Sequence, residues 1–138
     1  MMSNLSEESI VTINKFMVER FSPYLIILFG SAAGNKMRPD SDIDIAFLGN
    51  QPNGAFETFM LAQELSGLLG RDVDLVDLSR ASTVLKAQIV GKGRIIHNSD
   101  DYAGSLFRLR ALKEYALLNE ERQCIIDKIK GRGFLNEQ

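Results

Sequence analysis

The chain contains 138 residues, of which 45% are hydrophobic and 25% are charged, a composition typical of folded proteins and too apolar for a disordered one. Its 16 basic and 18 acidic residues give a net charge of −2, which excludes the strong general attraction of basic proteins to nucleic acid or anionic membranes. The single cysteine, Cys124, excludes an intramolecular disulfide, and no apolar run approaches the roughly 18 residues that span a bilayer. These features predict one domain over 1–138 in a cytoplasmic protein with no membrane or nucleic-acid partner.

The first half of the chain predicts alternating helices and strands. Asn4 followed by Glu7 resembles an N-terminal helix cap, and apolar residues at helical spacing continue until Ser22 and Pro23. The next apolar run is uninterrupted, which is typical of a strand that is buried on both faces. The predicted elements are a helix over 4–21, a strand over 24–29, a helical turn over 30–33, a strand over 42–48 and a helix over 55–69.

The second half predicts further strands and a long helical end. After Gly70, which is expected to cap the preceding helix, the predicted elements are a strand over 72–78, a helix over 82–90 ended by Gly91 and Gly93, a short strand over 94–97 and one long or two shorter helices over 99–130. In that last segment an apolar stripe through Leu106, Leu109, Leu112 and Tyr115 is either core or a partner surface. The pattern predicts an α/β (α+β) fold with a small mixed sheet of three or four strands.

Two aspartates in the second strand are the most informative feature. Asp42 and Asp44 alternate with isoleucines, so their side chains share one face of the strand, roughly 6.6 Å apart. Two neighbouring carboxylates repel each other, and a bound cation explains why the strand tolerates both. Oxygen ligands suit Mg²⁺, and such a pair can share two ions about 3.5–4 Å apart. If the third strand pairs with the second, Asp74 reaches the same ions, whereas Asp77 faces the other way.

The end of the first strand suggests a site for phosphate. Gly30 permits close approach of a phosphate group, and Ser31 offers a hydroxyl and a backbone amide at the start of a helical turn. The loop that follows brings Lys36 and Arg38 within reach of an anion. A phosphate site beside a carboxylate metal site predicts metal-assisted transfer from a nucleoside triphosphate.

The combined motif resembles the signature of the DNA polymerase beta-like nucleotidyltransferase superfamily. Gly30-Ser31 is followed after ten residues by Asp42-Ile43-Asp44, and the string LFGSAAGNKMRPDSDIDIAFLG with the later RDVDLVDL is similar to the minimal nucleotidyltransferase branch. The resemblance is strong over residues 24–78. It implies a nucleotidyltransferase core over 24–98, followed by a C-terminal helical segment over 99–130.

The resemblance also implies roles for individual residues. Gly30 and Ser31 match residues that hold the triphosphate, and Asp42 and Asp44 match metal-binding carboxylates. Asp74 matches a third acid that helps to bind the ion and that orients or deprotonates the attacking hydroxyl. The chain departs from many minimal members directly after Ser31, where they carry an arginine and this chain has Ala-Ala-Gly-Asn. Lys36 or Arg38 is therefore expected to supply the missing positive charge.

For a chain of this size, the resemblance implies a particular substrate. Minimal members are typically antitoxins of HEPN-domain RNase toxins, and transfer AMP from ATP to a tyrosine of the toxin in the presence of Mg²⁺. The sequence predicts this adenylyltransferase activity and a HEPN partner. Two alternatives stay open: an antitoxin that masks its partner by binding alone, and a drug-modifying nucleotidyltransferase that needs a helical partner subunit.

Overall fold

A computed structural model of the protein describes residues 5–34, 38 and 41–137. Two short 3₁₀ turns, Gly30–Ala33 and Leu78–Arg80, follow the first and third strands. The longer elements are α1 (Glu7–Phe21), β1 (Leu25–Phe29), β2 (Ile43–Leu48), α2 (Ala55–Leu69), β3 (Val73–Asp77), α3 (Thr83–Lys92), β4 (Arg94–Asn98) and α4 (Asp101–Glu137).

The four strands form one mixed sheet in the order β3-β2-β1-β4. β1 is antiparallel to both β2 and β4, whereas β2 and β3 are parallel. A parallel pair needs a crossover connection, and α2 provides it. The predicted fold class, a small mixed sheet flanked by helices, is confirmed.

Helices cover both faces of the sheet. On one face, α1 and α2 pack against a cluster that includes Ile26, Ile45 and Phe47. On the other face, α3 and α4 pack against Leu25, Ile27 and Ala46. Residues 25–28 are buried on both sides of the sheet, so the prediction of a doubly buried first strand is confirmed.

Two predicted helix ends differ from the structure. The cap of α1 is Ser6, whose hydroxyl accepts a hydrogen bond from the Ser9 amide at 3.2 Å, so the prediction of Asn4 as the cap was wrong; Asn4 itself lies outside the described residues. A serine hydroxyl satisfies a free amide of the first turn and starts the helix at Glu7. α3 continues through Gly91 and ends at Gly93, while α2 ends at Gly70 as predicted.

The C-terminal segment is one continuous helix, and its buried face differs from the predicted stripe. Leu109 and Leu112 are exposed. The packed face instead runs through Phe107 and Ala111, four residues apart and therefore on one side of the helix. Beyond Tyr115 this side continues as apolar side chains, including Ile126 and Ile129, that are exposed. No helix in the described part of the chain is both long enough and apolar enough to cross a membrane.

Candidate active site

The predicted site residues lie where three strand ends meet. β1 ends at Phe29, which is the register partner of Asp44 in β2. Asp44 in turn is the register partner of Asp74 in the parallel strand β3. Since neighbouring strands lie about 4.8 Å apart, the antiparallel and parallel pairings bring Gly30, Asp44 and Asp74 together at one end of the sheet, where β1 ends and β2 and β3 begin. The predicted pairing of the second and third strands is confirmed.

The carboxylates share the sheet face on which α3 packs. Asp44 is half-buried, and its neighbours Ile43 and Ile45 are fully buried against α1 and α2 on the opposite face. Asp42 and Asp74 are exposed. Asp44 nevertheless lines an open cavity with residues of α3, so it is reachable from solvent.

The electrostatics of Asp44 reflect this crowding. Partial burial raises the pKa of its carboxyl, and the negative charges of Asp74 and Asp42 raise it further. Each cause disfavours the ionised form. The sequence-predicted acids are therefore close enough to interact electrostatically through Asp44.

The three carboxylates offer the oxygen donors that a divalent cation requires. Within the described residues, no three histidine, cysteine, aspartate or glutamate side chains are gathered closely enough to hold a metal ion together. However, carboxylate oxygens are the donors that Mg²⁺ prefers, and a cation would relieve the repulsion that raises the pKa of Asp44. Asp42 and Asp74 are exposed, so rotation of their side chains can close the set. The residues fit a divalent cation.

Gly30 lies directly against Asp44. Its backbone has φ +64°, a left-handed conformation that side-chain-bearing residues rarely adopt. A Cβ atom built on Gly30 would overlap Asp44 Oδ2 and lie 3.4 Å from Asp44 Cγ. Ser31 follows in the 3₁₀ turn and is half-buried. Because residue 30 has no side chain, the Asp44 carboxylate can lie against the backbone of this turn.

A cleft of about 370 Å³ opens beside this pair. It is lined by Phe29, Gly30 and Asp44 from this end of the sheet and by Leu85, Gln88, Ile89 and Lys92 from α3. We call it the nucleotide cleft, after the binding role proposed for it below. Lys92 is the one cation among the described lining residues, and it was missed from the sequence because the packing of α3 on β1 brings it there. Gly93 permits that packing, since a Cβ at this residue would overlap Ile27.

Of the two predicted loop cations, only Arg38 is among the described residues, and it does not line the nucleotide cleft. Lys36 lies outside the described residues. Arg38 is exposed, and its backbone amide donates a hydrogen bond to Ser41 Oγ at 2.9 Å. Arg71 is a second residue that the sequence analysis missed. Its Nη2 donates hydrogen bonds to two backbone carbonyl oxygens, that of Ser41 at 2.8 Å and that of Arg38. It thereby fastens the loop that leads to Asp42.

Asp77 is held by local hydrogen bonds. Its carboxylate accepts hydrogen bonds from the amide of Asn53 at 3.0 Å and from the amide and hydroxyl of Ser79 at 3.0 and 2.7 Å. Its side chain lies on the opposite side of β3 from that of Asp74, as the spacing predicts. Asp77 therefore stabilises the turns around β3.

Comparison with known proteins agrees with this geometry. A model of the polymerase beta nucleotidyltransferase family matches residues 11–102. The chain belongs to this family. It is 38% identical over 130 residues to the protein adenylyltransferase MntA of Shewanella oneidensis. The alignment covers 93% of this chain and 90% of the relative.

Solved structures extend the similarity of this nucleotidyltransferase. A crystal structure of a toxin–antitoxin with AMP-PNP contains a chain with a TM-score of 0.79 and 37% identity, covering 87% of this chain and 97% of that chain. The structure of tri-AMPylated Shewanella oneidensis HEPN toxin in complex with MNT antitoxin also contains a similar chain, with a TM-score of 0.76 and 35% identity. This match covers 91% of the present chain and 98% of the other.

Proposed function

We propose that this nucleotidyltransferase transfers AMP from ATP to a tyrosine hydroxyl of a HEPN-domain toxin and thereby acts as its antitoxin. The observation that carries the proposal is the contact between Gly30 and Asp44 beside Asp74, which combines a phosphate site with an acidic site. The similarity to a relative named protein adenylyltransferase supports the same reaction.

The nucleotide cleft is proposed to bind the triphosphate. Gly30 contributes a cleft wall without a side chain, and Ser31 offers a hydroxyl and a backbone amide. Lys92 places a positive charge on the cleft wall opposite Gly30, in the role that the sequence assigns to Lys36 or Arg38. A triphosphate is strongly anionic, so such a charge favours binding.

Asp42, Asp44 and Asp74 are proposed to hold Mg²⁺, with two ions expected for a carboxylate set of this kind. When bound, Mg²⁺ offsets the negative charge that develops on the phosphate oxygens. Asp44 lines the nucleotide cleft, so it is the carboxylate nearest to the phosphates. Asp74 lies one strand further from Gly30 than Asp44 does. It is therefore proposed to face the acceptor hydroxyl.

The transfer step uses Asp74 as the proton acceptor. The tyrosine oxygen attacks the α-phosphorus of ATP and forms a new O–P bond while its proton passes to the Asp74 carboxylate. The bond from the α-phosphorus to the bridging oxygen breaks, and pyrophosphate leaves with the electron pair. The products are an AMP-tyrosine ester and pyrophosphate.

The surface of α4 favours a protein acceptor. Its packed side continues past Ala111 into exposed Ile126 and Ile129, and an apolar face of this kind is typical of a protein interface. The single cysteine, Cys124, is free and exposed on the same helix. A free thiol and an ATP-consuming reaction agree with a reducing, cytoplasmic setting.

The proposal is tested with ATP labelled at the α-phosphate, Mg²⁺ and a cognate HEPN-domain toxin as the acceptor. We expect the wild-type protein to label its partner, and Asp44→Asn to reduce the rate by at least about 100-fold. Asp72→Asn is the matched control, because Asp72 is an exposed acid two residues before Asp74.

Two results contradict this function. Equal labelling by wild-type protein and Asp44→Asn would remove Asp44 from the reaction. Tight binding of the partner without any labelling would favour an antitoxin that acts by masking alone, which the exposed side of α4 also supports.

A further inference from the structure

A second cavity lies on the other side of the acidic residues. This groove of about 490 Å³ runs between α2 and the outer edge of β3, and we call it the edge groove. Its walls include Phe59, Ala62, Val73 and Leu85, and Asp74 lies in the same lining. The family motif does not assign any function to it.

The two cavities are adjacent and are separated by the acids. Asp44 lines the nucleotide cleft, and its register partner Asp74 lines the edge groove. Leu85 of α3 lines both cavities. A transfer reaction needs two substrates that meet at one point, with the reacting atoms about 3–3.5 Å apart. One cavity beside each of two neighbouring carboxylates offers separate places for the two substrates.

The chemistry of the edge groove disfavours a triphosphate and favours an aromatic alcohol. Most of its walls are apolar, and Phe59 is 59% exposed beside them. Arg80 is the one basic residue in the described lining, which contains two acidic residues, Asp74 and Asp77. Tyrosine has an apolar ring and a polar tip, so its ring suits these walls and its hydroxyl suits the end at Asp74.

We propose that the edge groove binds the segment of the protein substrate that carries the acceptor tyrosine. This inference rests on the proposed function. The ring packs against Phe59 and Ala62, and the hydroxyl lies at Asp74, which takes the proton as the oxygen bonds to the α-phosphorus and pyrophosphate leaves with the electron pair. The assignment places the acceptor and the ATP in separate cavities.

The outer edge of β3 adds a backbone contribution. β3 is the last strand on its side of the sheet, and an open strand edge can pair with an extended peptide. Ser66 Oγ already accepts a hydrogen bond from the Val73 amide at 2.9 Å, so an added segment pairs only beyond Val73. Pairing there keeps the segment next to the groove walls.

Two phenylalanines of α2 provide a matched test. Phe59 lines the edge groove, whereas Phe56 is 76% exposed and is not among the lining residues. We expect Phe59→Ser to raise the KM for the HEPN partner by about tenfold, because an aromatic wall is lost. ATP-analogue affinity should stay unchanged, since Phe59 does not line the nucleotide cleft. Phe56→Ser should leave both quantities unchanged.

A photo-crosslinking residue in place of Gln63 gives a second readout. Gln63 is exposed and lines the edge groove, so a benzophenone side chain there should attach to the partner peptide that contains the acceptor tyrosine. Attachment to a different peptide would overturn the assignment.

The outcomes separate this inference from the proposed function. AMP transfer by the wild-type protein with an unchanged partner KM in Phe59→Ser would overturn the edge-groove assignment and leave the function standing. A loss of ATP-analogue affinity in Phe59→Ser equal to the loss of transfer would also overturn it. Absence of transfer by the wild-type protein would overturn both.

Discussion

Gly30, in the turn that follows β1, lies directly against the carboxylate of Asp44 in β2: a Cβ atom on Gly30 would overlap Asp44 Oδ2. The two residues are therefore constrained together. A side chain at residue 30 would push Asp44 away from the position it now has, and it would thereby change the wall of the nucleotide cleft that the two residues form.

Gly30→Ala should consequently impair both folding and nucleotide binding. The left-handed φ of +64° costs a non-glycine residue about 1–2 kcal/mol, and the overlap with Asp44 adds to that. Denaturant unfolding and ATP-analogue titration would measure the two effects. Gly34→Ala is the control, because a Cβ at Gly34 meets nothing within 4 Å and φ is not positive there. Equal effects of the two substitutions would contradict this account.

Neutralising Asp44 should stabilise the metal-free protein. The folded-state pKa of Asp44 is raised above its ordinary value of 3.8, so ionisation destabilises the fold as the pH rises from 3.8 through the raised pKa. Asp44→Asn should therefore raise the Tm at pH 7 in metal-free buffer, and the gain should shrink below pH 4. A Tm difference that does not change with pH would show that the carboxyl's charge is not the cause.

Lys92→Met should weaken nucleotide binding. The substitution keeps most of the apolar stem and removes the one cation in the described lining of the nucleotide cleft. We expect the Kd for ATP to rise by about tenfold, since Lys92 is exposed and its charge is partly screened. Lys86→Met is the control on the same helix, because the Lys86 ammonium lies 5.8 Å from the Phe107 ring centroid instead. Similar Kd values for the two variants would remove Lys92 from the site.

Arg71→Lys should lower activity without unfolding the protein. The guanidinium holds the carbonyl oxygens of Ser41 and Arg38 together, and a lysine ammonium lacks that planar fork. The loop before Asp42 should loosen, and kcat for AMP transfer should fall more than ATP affinity does. Arg94→Lys, at an exposed strand residue, should match the wild type. A Tm loss that accounts for the whole activity loss would assign Arg71 a purely structural role.

Asp77→Ala should destabilise the protein by about 1–3 kcal/mol. The carboxylate is 8% exposed and accepts hydrogen bonds from Asn53 and Ser79, so its removal leaves their amides without this partner. Urea denaturation would measure the loss. At a temperature where the variant is folded, its ATP affinity should equal that of the wild type.

Local periodicity predicts much of this fold and part of its candidate site. Asp42 and Asp44 are two residues apart on a strand, and a period of two places them on one face regardless of what packs around them. Asp74 needed an assumed strand pairing, which the register with Asp44 confirms. These predictions depend on the sheet alone.

The remaining features depend on how helices pack, which no local pattern contains. Lys92 reaches the nucleotide cleft only because Gly93 lets α3 approach β1. Leu109 and Leu112 step along the helix like a core stripe, yet the sheet meets the side that carries Phe107 and Ala111. Arg71 bonds to backbone carbonyls, which have no sequence signature.

The length of α4 has a consequence for the lifetime of the protein. Its 37 residues extend about 55 Å at 1.5 Å per residue, and every side chain from 119 to 131 is exposed. A helix that packs against nothing opens at little free energy, and opened backbone is what proteases cleave. If the proposed partner binds along the apolar side of this helix, we expect it to protect the helix from proteases. In the free protein we expect limited proteolysis to cut first between residues 119 and 131, so the rate of cleavage there would report whether a partner covers the helix.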